Sequence, residues 1–179
     1  MVAQGRGPDR TRWTRDIPLE DDLRLIAVNV TAVVHLAKRL LPQMVERGAG
    51  RVLITSVAAT MPGPWYATYA ASKAFLQSFA QAIRFELKDT GVTVTALQPG
   101  PTDTEFFERA GMEDTRAGEG TKDDPAEVAK DGFEALLAGK DHVIAGSVKN
   151  KAQVAGGRLM PEKARAALHA AQTKPDADD

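Results

Sequence analysis

A chain of 179 residues, 43% of them hydrophobic and 26% charged, has the composition of one globular domain and not of a disordered segment. A formal net charge of -1 leaves no excess of Lys and Arg to neutralise phosphates, which argues against nucleic acid or an anionic membrane as partner. With no cysteine there is no disulfide, thiolate metal site or cysteine nucleophile, and His35, His142 and His169 stand too far apart for metal-ligand spacing, so they read as surface or packing residues and no metal is expected. Residues 1–18 are rich in Gly, Pro, Arg and Asp, show no period, and read as a loose leader. They lack the apolar run of a signal peptide, so the expected location is the cytoplasm.

From Leu19 to about Gly48 the apolar positions Leu23, Ile26, Val30, Val33, Ala37, Leu40 and Met44 recur at steps of three and four, predicting one long amphipathic helix that ends at Gly48-Ala49-Gly50. Arg24, Asn29, His35, Lys38 and Arg39 interrupt it, so it is not expected to span a membrane. Arg51 to Ser56 is a β-branched run of strand length, apolar on both faces, as in the interior of a parallel sheet. After the breaker Pro62-Gly63-Pro64 a second helix is predicted from about Trp65 to Asp89, stopped by Gly91. It has two neighbouring apolar faces, Leu76, Ala80, Ile83 and Leu87 on one and Phe75, Phe79 and Ala82 on the other, for which the sheet and a partner subunit are the expected covers.

Val92 to Leu97 is the next strand, closed by Gln98-Pro99-Gly100-Pro101. Thr104 to about Lys122 is a polar connection whose Phe106, Phe107 and Met112 suit either an apolar lid or packing against the third helix. That helix opens at Asp124-Pro125-Ala126-Glu127, an N-cap, a proline in the first turn and a returning carboxylate, and closes at Gly139. His142 to Ala145 reads as a third short strand, followed by weaker helical segments around 149–154 and 162–171 and a polar tail. Strands alternating with helices predict an α/β layered architecture with a parallel sheet.

The chemistry lies in Tyr69 and Lys73. Four residues apart on one helix, they project from one face, and an ammonium beside a phenol is expected to lower its ordinary pKa of about 10 and suit it to proton exchange with a substrate oxygen. Ser56 closes its strand thirteen residues before Tyr69, Asn29 stands twenty-seven before Ser56, and Pro99-Gly100-Pro101-Thr102-Asp103-Thr104 follows the next strand. In that joint spacing the chain, from about Leu19 to about Ile144, resembles the short-chain dehydrogenase/reductase family.

The resemblance implies a partial Rossmann-like, doubly wound parallel sheet of about three strands with flanking helices, truncated on its N-terminal side. It divides the chain into a leader at 1–18, a catalytic domain at 19–160 and a C-terminal helix with a polar tail at 161–179. It implies an NAD- or NADP-dependent oxidoreductase acting on a small-molecule carbonyl or alcohol. Tyr69 is then the general acid/base, Ser56 binds the reacting oxygen, Lys73 tunes the tyrosine and holds the ribose, and Asn29 holds a water of the proton relay. Tyr69, Lys73, Pro99, Gly100, Thr102 and Thr104 are the implied cofactor contacts, and homo-oligomers through helices 19–48 and 65–89 are implied as well.

A complete member opens with a glycine-rich turn that receives the pyrophosphate, and no Gly-x-x-x-Gly-x-Gly element precedes Asn29 here. Phosphate contacts of roughly 1.5 to 3 kcal/mol each are thereby missing, so weak cofactor binding and little activity are expected of these residues alone. The alternative function is a non-catalytic interaction protein that keeps the helix pair as an assembly surface. A hydrolase using Ser56 is disfavoured, since neither a nucleophile elbow nor a suitably placed histidine accompanies it.

Overall fold

The computed structural model describes residues 14–56, 62–110, 112–113, 115–147, 151 and 161–174. After a single 3-10 turn at Thr14–Asp16, α1 (Leu19–Ile26) runs through a π-helical turn, Ala27–Thr31, into α2 (Ala32–Glu46) without a break. β1 (Gly50–Thr55), α3 (Ala67–Glu86) and β2 (Val92–Pro99) follow, then the short α4 (Phe106–Arg109) and α5 (Arg116–Glu119). α6 (Pro125–Leu137), β3 (His142–Ala145) and α7 (Glu162–Thr173) complete the order. Residues 1–13 of the expected leader, the expected helix over 149–154 apart from residue 151, and residues 175–179 of the tail lie outside the described residues.

The three strands form one parallel sheet in the order β1-β2-β3, with Gly50 opposite Val92, Thr55 opposite Leu97, and Ala96 opposite His142. Parallel neighbours need crossovers, and helices supply them. Strand alternation sends the side chains of β2 to opposite faces. Val92, Val94 and Ala96 join Ile54 and the Leu76, Ala80, Ile83, Leu87 stripe of α3, with Val33, Leu41 and Met44 of α2 packed behind. Leu97 faces the other way, onto Val128 of α6 and Ala145 of β3. Covered on both sides, β2 is buried along nearly its whole length, its apolar positions alternating with the β-branched Thr93 and Thr95. Arg84 ties the layers together, donating from Nη1 to the Val94 carbonyl at 2.6 Å and from Nη2 to that of Gly139 at 3.1 Å.

Three expectations need correction. β1, expected in the interior of the sheet, has a strand neighbour on one side only among the described residues and buries only Ile54. α3 starts at Ala67, not Trp65, because Trp65 sits in the left-handed region at φ 73 and Tyr66, at φ -150, only caps the helix. The stretch from Thr104 to Lys122 is more ordered than an irregular connection: α4 and α5 bury Phe107, Ala110 and Met112 in a small core of their own. Tyr66, Phe106 and Ala117 pack on it, so among the described residues this cluster meets the start of α3. The helix Leu19–Glu46 is long and apolar enough, by length and composition, to cross a membrane; here it docks on α3, with Leu19, Leu23, Leu36 and Leu40 left exposed.

Candidate functional site

Parallel strands deliver their carboxyl ends to one edge of the sheet, and loops at that edge are where such folds collect functional groups. Ser56 follows β1 directly. Its N–H donates to the Leu97 carbonyl at 2.8 Å, extending the ladder, and its fully buried hydroxyl donates to Oε1 of Gln77 on α3 at 2.8 Å. Asn29 lies within the π turn, a widening of the helix that often marks functional positions. Its Nδ2 donates to Oγ of Ser72 at 3.0 Å, and that hydroxyl donates to the Tyr69 carbonyl at 2.7 Å.

Tyr69 and Lys73 occupy consecutive turns of α3, with the ammonium 5.4 Å from the centre of the tyrosine ring. One stretch of α3, residues 69 to 77, thus gathers Tyr69 and Lys73, is met by Asn29 at Ser72, and is met by Ser56 at Gln77. The Ser56 hydroxyl is directed at Gln77 and not at Tyr69. The expected lowering of the phenol by Lys73 is not met: burial pushes the Tyr69 hydroxyl up to about 12. Burial also lowers the Lys73 ammonium from its ordinary value. No ion pair of Lys73 occurs among the described residues.

Pro99 ends β2, and the next residues fold back on themselves. Thr102 Oγ1 donates to the Gly100 carbonyl at 3.0 Å, and Thr104 Oγ1 accepts the Phe106 N–H at 3.4 Å, opening α4. Thr102 is bridged to Asp123 in strand fashion, and Asp103 N–H donates to the Asp123 carbonyl at 3.0 Å, so the turn is pinned to the segment before α6.

Several residues escape the sequence reading. Gln98 is 1% exposed, lies by strand alternation on the α3 face, and neither amide atom has a partner among the described residues. A glutamine inside the apolar run of β2 is the one signal that marks it. The rings of Tyr66 and Phe106 flank that of Tyr69 at 6.0 and 5.4 Å between centroids. His169, expected to be an ordinary surface or packing residue, comes from α7 to Tyr66, its Nε2 2.8 Å from the phenol oxygen and its Nδ1 2.7 Å from the Pro62 carbonyl. Burial lowers the His169 pKa, partly offset by the Pro62 carbonyl; burial and then the nearby Tyr69 raise that of Tyr66 well above the usual tyrosine range. A contact spanning a hundred residues carries no local signal.

Residues 4–114 match the family described as short chain dehydrogenase. Sulfoacetaldehyde reductase 2 of Chromohalobacter salexigens is 39% identical over 94 residues, 51% of this chain and 37% of that protein. The dehydrogenase/reductase SDR family member 7B of Rattus norvegicus is 33% identical over 138 residues, 72% of this chain and 42% of that protein. The aligned stretch is therefore under half the length of either curated relative. Among solved structures, one of a 7beta-hydroxysteroid dehydrogenase superposes with a TM-score of 0.74 at 26% identity, covering 88% of this chain and 61% of that one. A short-chain dehydrogenase from Sphingobium yanoikuyae in complex with NADPH shares the fold, with a TM-score of 0.71 at 24% identity over 100% of this chain and 65% of that one.

Proposed function

The chain belongs to the short-chain dehydrogenase family, and from that premise we propose that it carries the proton-transfer half of an NAD- or NADP-dependent oxidoreductase acting on a small carbonyl or alcohol. The observation that carries this reading is the Tyr69 and Lys73 pair on α3, in contact with each other and joined to Asn29 through Ser72. A phenol held near 12 is protonated at neutral pH, so Tyr69 is ready to donate its proton to the oxygen of a carbonyl as that oxygen gains charge. Ser56 binds the same oxygen by turning its hydroxyl away from Gln77. Asn29, with Nδ2 committed to Ser72, has its amide oxygen to hold a relay water.

The residues fit a nicotinamide nucleoside. Lys73 is a half-buried cation with no carboxylate partner among the described residues, suited to ribose hydroxyls, and Gln98 is a buried amide whose donor and acceptor both lack a partner there. Pro99, Gly100, Thr102 and Thr104 form the turn that would receive the carboxamide end. When bound, the nicotinamide supplies or takes the hydride. The solved Sphingobium relative with NADPH supports this cofactor class. These 179 residues contain no Gly-x-x-x-Gly-x-Gly turn, so their own affinity for the dinucleotide is expected to be weak and their turnover low.

The test is a titration with NADH and NADPH up to millimolar concentrations, coupled to turnover of a panel of aldehydes, ketones and alcohols. Lys73→Met is expected to weaken cofactor binding, and Tyr69→Phe to reduce any turnover to background while leaving binding within about threefold, a change of under 1 kcal/mol. Turnover indifferent to Tyr69→Phe overturns the reading. A second reading, self-association through the Leu19–Glu46 and Ala67–Glu86 helices, is supported by the apolar side chains those helices leave exposed, Leu36, Leu40, Val45 and Phe85 among them.

A further inference from the structure

Tyr66 is held from outside its own element. It follows Trp65, whose φ of 73 is unusual for a bulky residue, and precedes the first turn of α3, so neither helix nor strand geometry orients its ring. His169 of α7 orients it instead. A carbonyl can only accept, so the 2.7 Å contact with Pro62 requires a proton on Nδ1 of His169. In the neutral ring Nε2 is then the acceptor, and the Tyr66 hydroxyl donates to it at 2.8 Å. The rings meet edge to face at 5.6 Å between centroids. Thr173, one turn further along α7, shares its single hydroxyl proton between the His169 carbonyl of its own helix at 2.9 Å and the Pro64 carbonyl at 3.3 Å, a second and weaker contact of α7 with the strained segment.

From Tyr66 the contacts lead directly to the site. Its ring lies 6.0 Å from that of Tyr69, which Phe106 flanks at 5.4 Å. We infer that His169 and Tyr66 are positioning residues for Tyr69: the C-terminal helix, through a neutral imidazole protonated on Nδ1 and the Tyr66 hydroxyl, fixes the ring against which the proposed proton donor packs. This rests on the reading of Tyr69 as the acid/base, and deepens it by making α7 part of the site. A residue more than ninety positions downstream of the tyrosine thereby governs its orientation.

The chain contains only two tyrosines, Tyr66 and Tyr69, so a sample labelled with 13C at tyrosine Cζ gives two signals, and the one missing from Tyr69→Phe is that of Tyr69. The imidazole 15N spectrum of the intact protein is expected to show His169 as the Nδ1–H form, with Nε2 responding to Tyr66→Phe. The Tyr69 signal is expected to shift and broaden in His169→Ala and equally in Tyr66→Phe, which removes one hydroxyl and keeps the ring should the first variant fold poorly. In turnover, each variant is expected to lower kcat about tenfold with KM little changed, the worth of about one hydrogen bond, and the double variant to be no worse than either single one. A His169 protonated on Nε2, a Tyr69 signal indifferent to both variants, or additive losses in the double variant overturns the inference. Failure of the acid/base reading is distinct: it appears as turnover that survives Tyr69→Phe, whatever the spectra show.

Discussion

Burial sets the resting charge of the tyrosine pair. Because the folded Tyr69 pKa lies near 12, above the ordinary 10.0, its neutral form is favoured by folding. That contribution is fully present below pH 10 and is lost as pH rises through 12. Thermal unfolding followed between pH 9 and 12 is expected to show stability falling over that window in the parent, and less steeply in Tyr69→Phe. His169 works in the opposite sense. Its folded pKa is depressed below 6.5, chiefly by burial, so its contribution is present above pH 6.5 and lost as pH falls through the lower folded value. Replacing His169 by Gln is expected to flatten the acid side of the stability profile; an unchanged profile would show that this imidazole does not titrate across folding. Ser56, Tyr69 and Lys73 could be singled out because their joint spacing resembles that of a known family, whereas Tyr66 and Gln98 could not, because a lone aromatic and a lone amide acquire meaning only from their neighbours in space.

At the scale of elements, local chemistry and observed boundaries agree where punctuation is strong. Asp124 accepts the Ala126 N–H at 2.7 Å, Pro125 opens α6, and β3 covers the residues its β-branched run indicates. Asp124→Ala is expected to cost about 1 kcal/mol, measured by urea denaturation. Gly91 turns the chain from α3 into β2 at φ 75, and a Cβ there would collide with the Gly48 carbonyl oxygen. Gly91→Ala is therefore expected to cost roughly 2 kcal/mol or more, since strain and a backbone collision add; a loss near zero would mean the two turns can part. Punctuation misled at Trp65, where Pro62-Gly63-Pro64 signals a helix start but the chain spends two further residues in a strained turn. The period of the Leu19–Glu46 stripe likewise indicates a helix without showing that it widens around Asn29, since a π turn shifts the register by one residue and leaves the apolar pattern nearly intact.

Across the whole molecule, the distribution of exposed apolar surface is the open chemistry. Leu19, Leu23, Leu36, Leu40 and Val45 on the long helix, with Phe85 on α3, lie in water in the isolated chain, and β1 has a strand neighbour on one side only among the described residues. The protein is expected to self-associate with rising concentration, and the double change Leu36→Lys with Leu40→Lys to shift sedimentation toward the monomer without altering the far-ultraviolet circular dichroism. A concentration-independent sedimentation coefficient in the parent would refute association.

Residue order by itself determined the alternation of strands and helices and the spacing of Asn29, Ser56, Tyr69 and Lys73, because each of these is a local or periodic property of the chain. Tertiary structure alone decided that the Ser56 hydroxyl turns to Gln77, that burial raises the pKa of the Tyr69 hydroxyl, and that α7 returns to place His169 on Tyr66. Desolvation and long-range contact depend on what lies nearby in space, and sequence distance carries no trace of that.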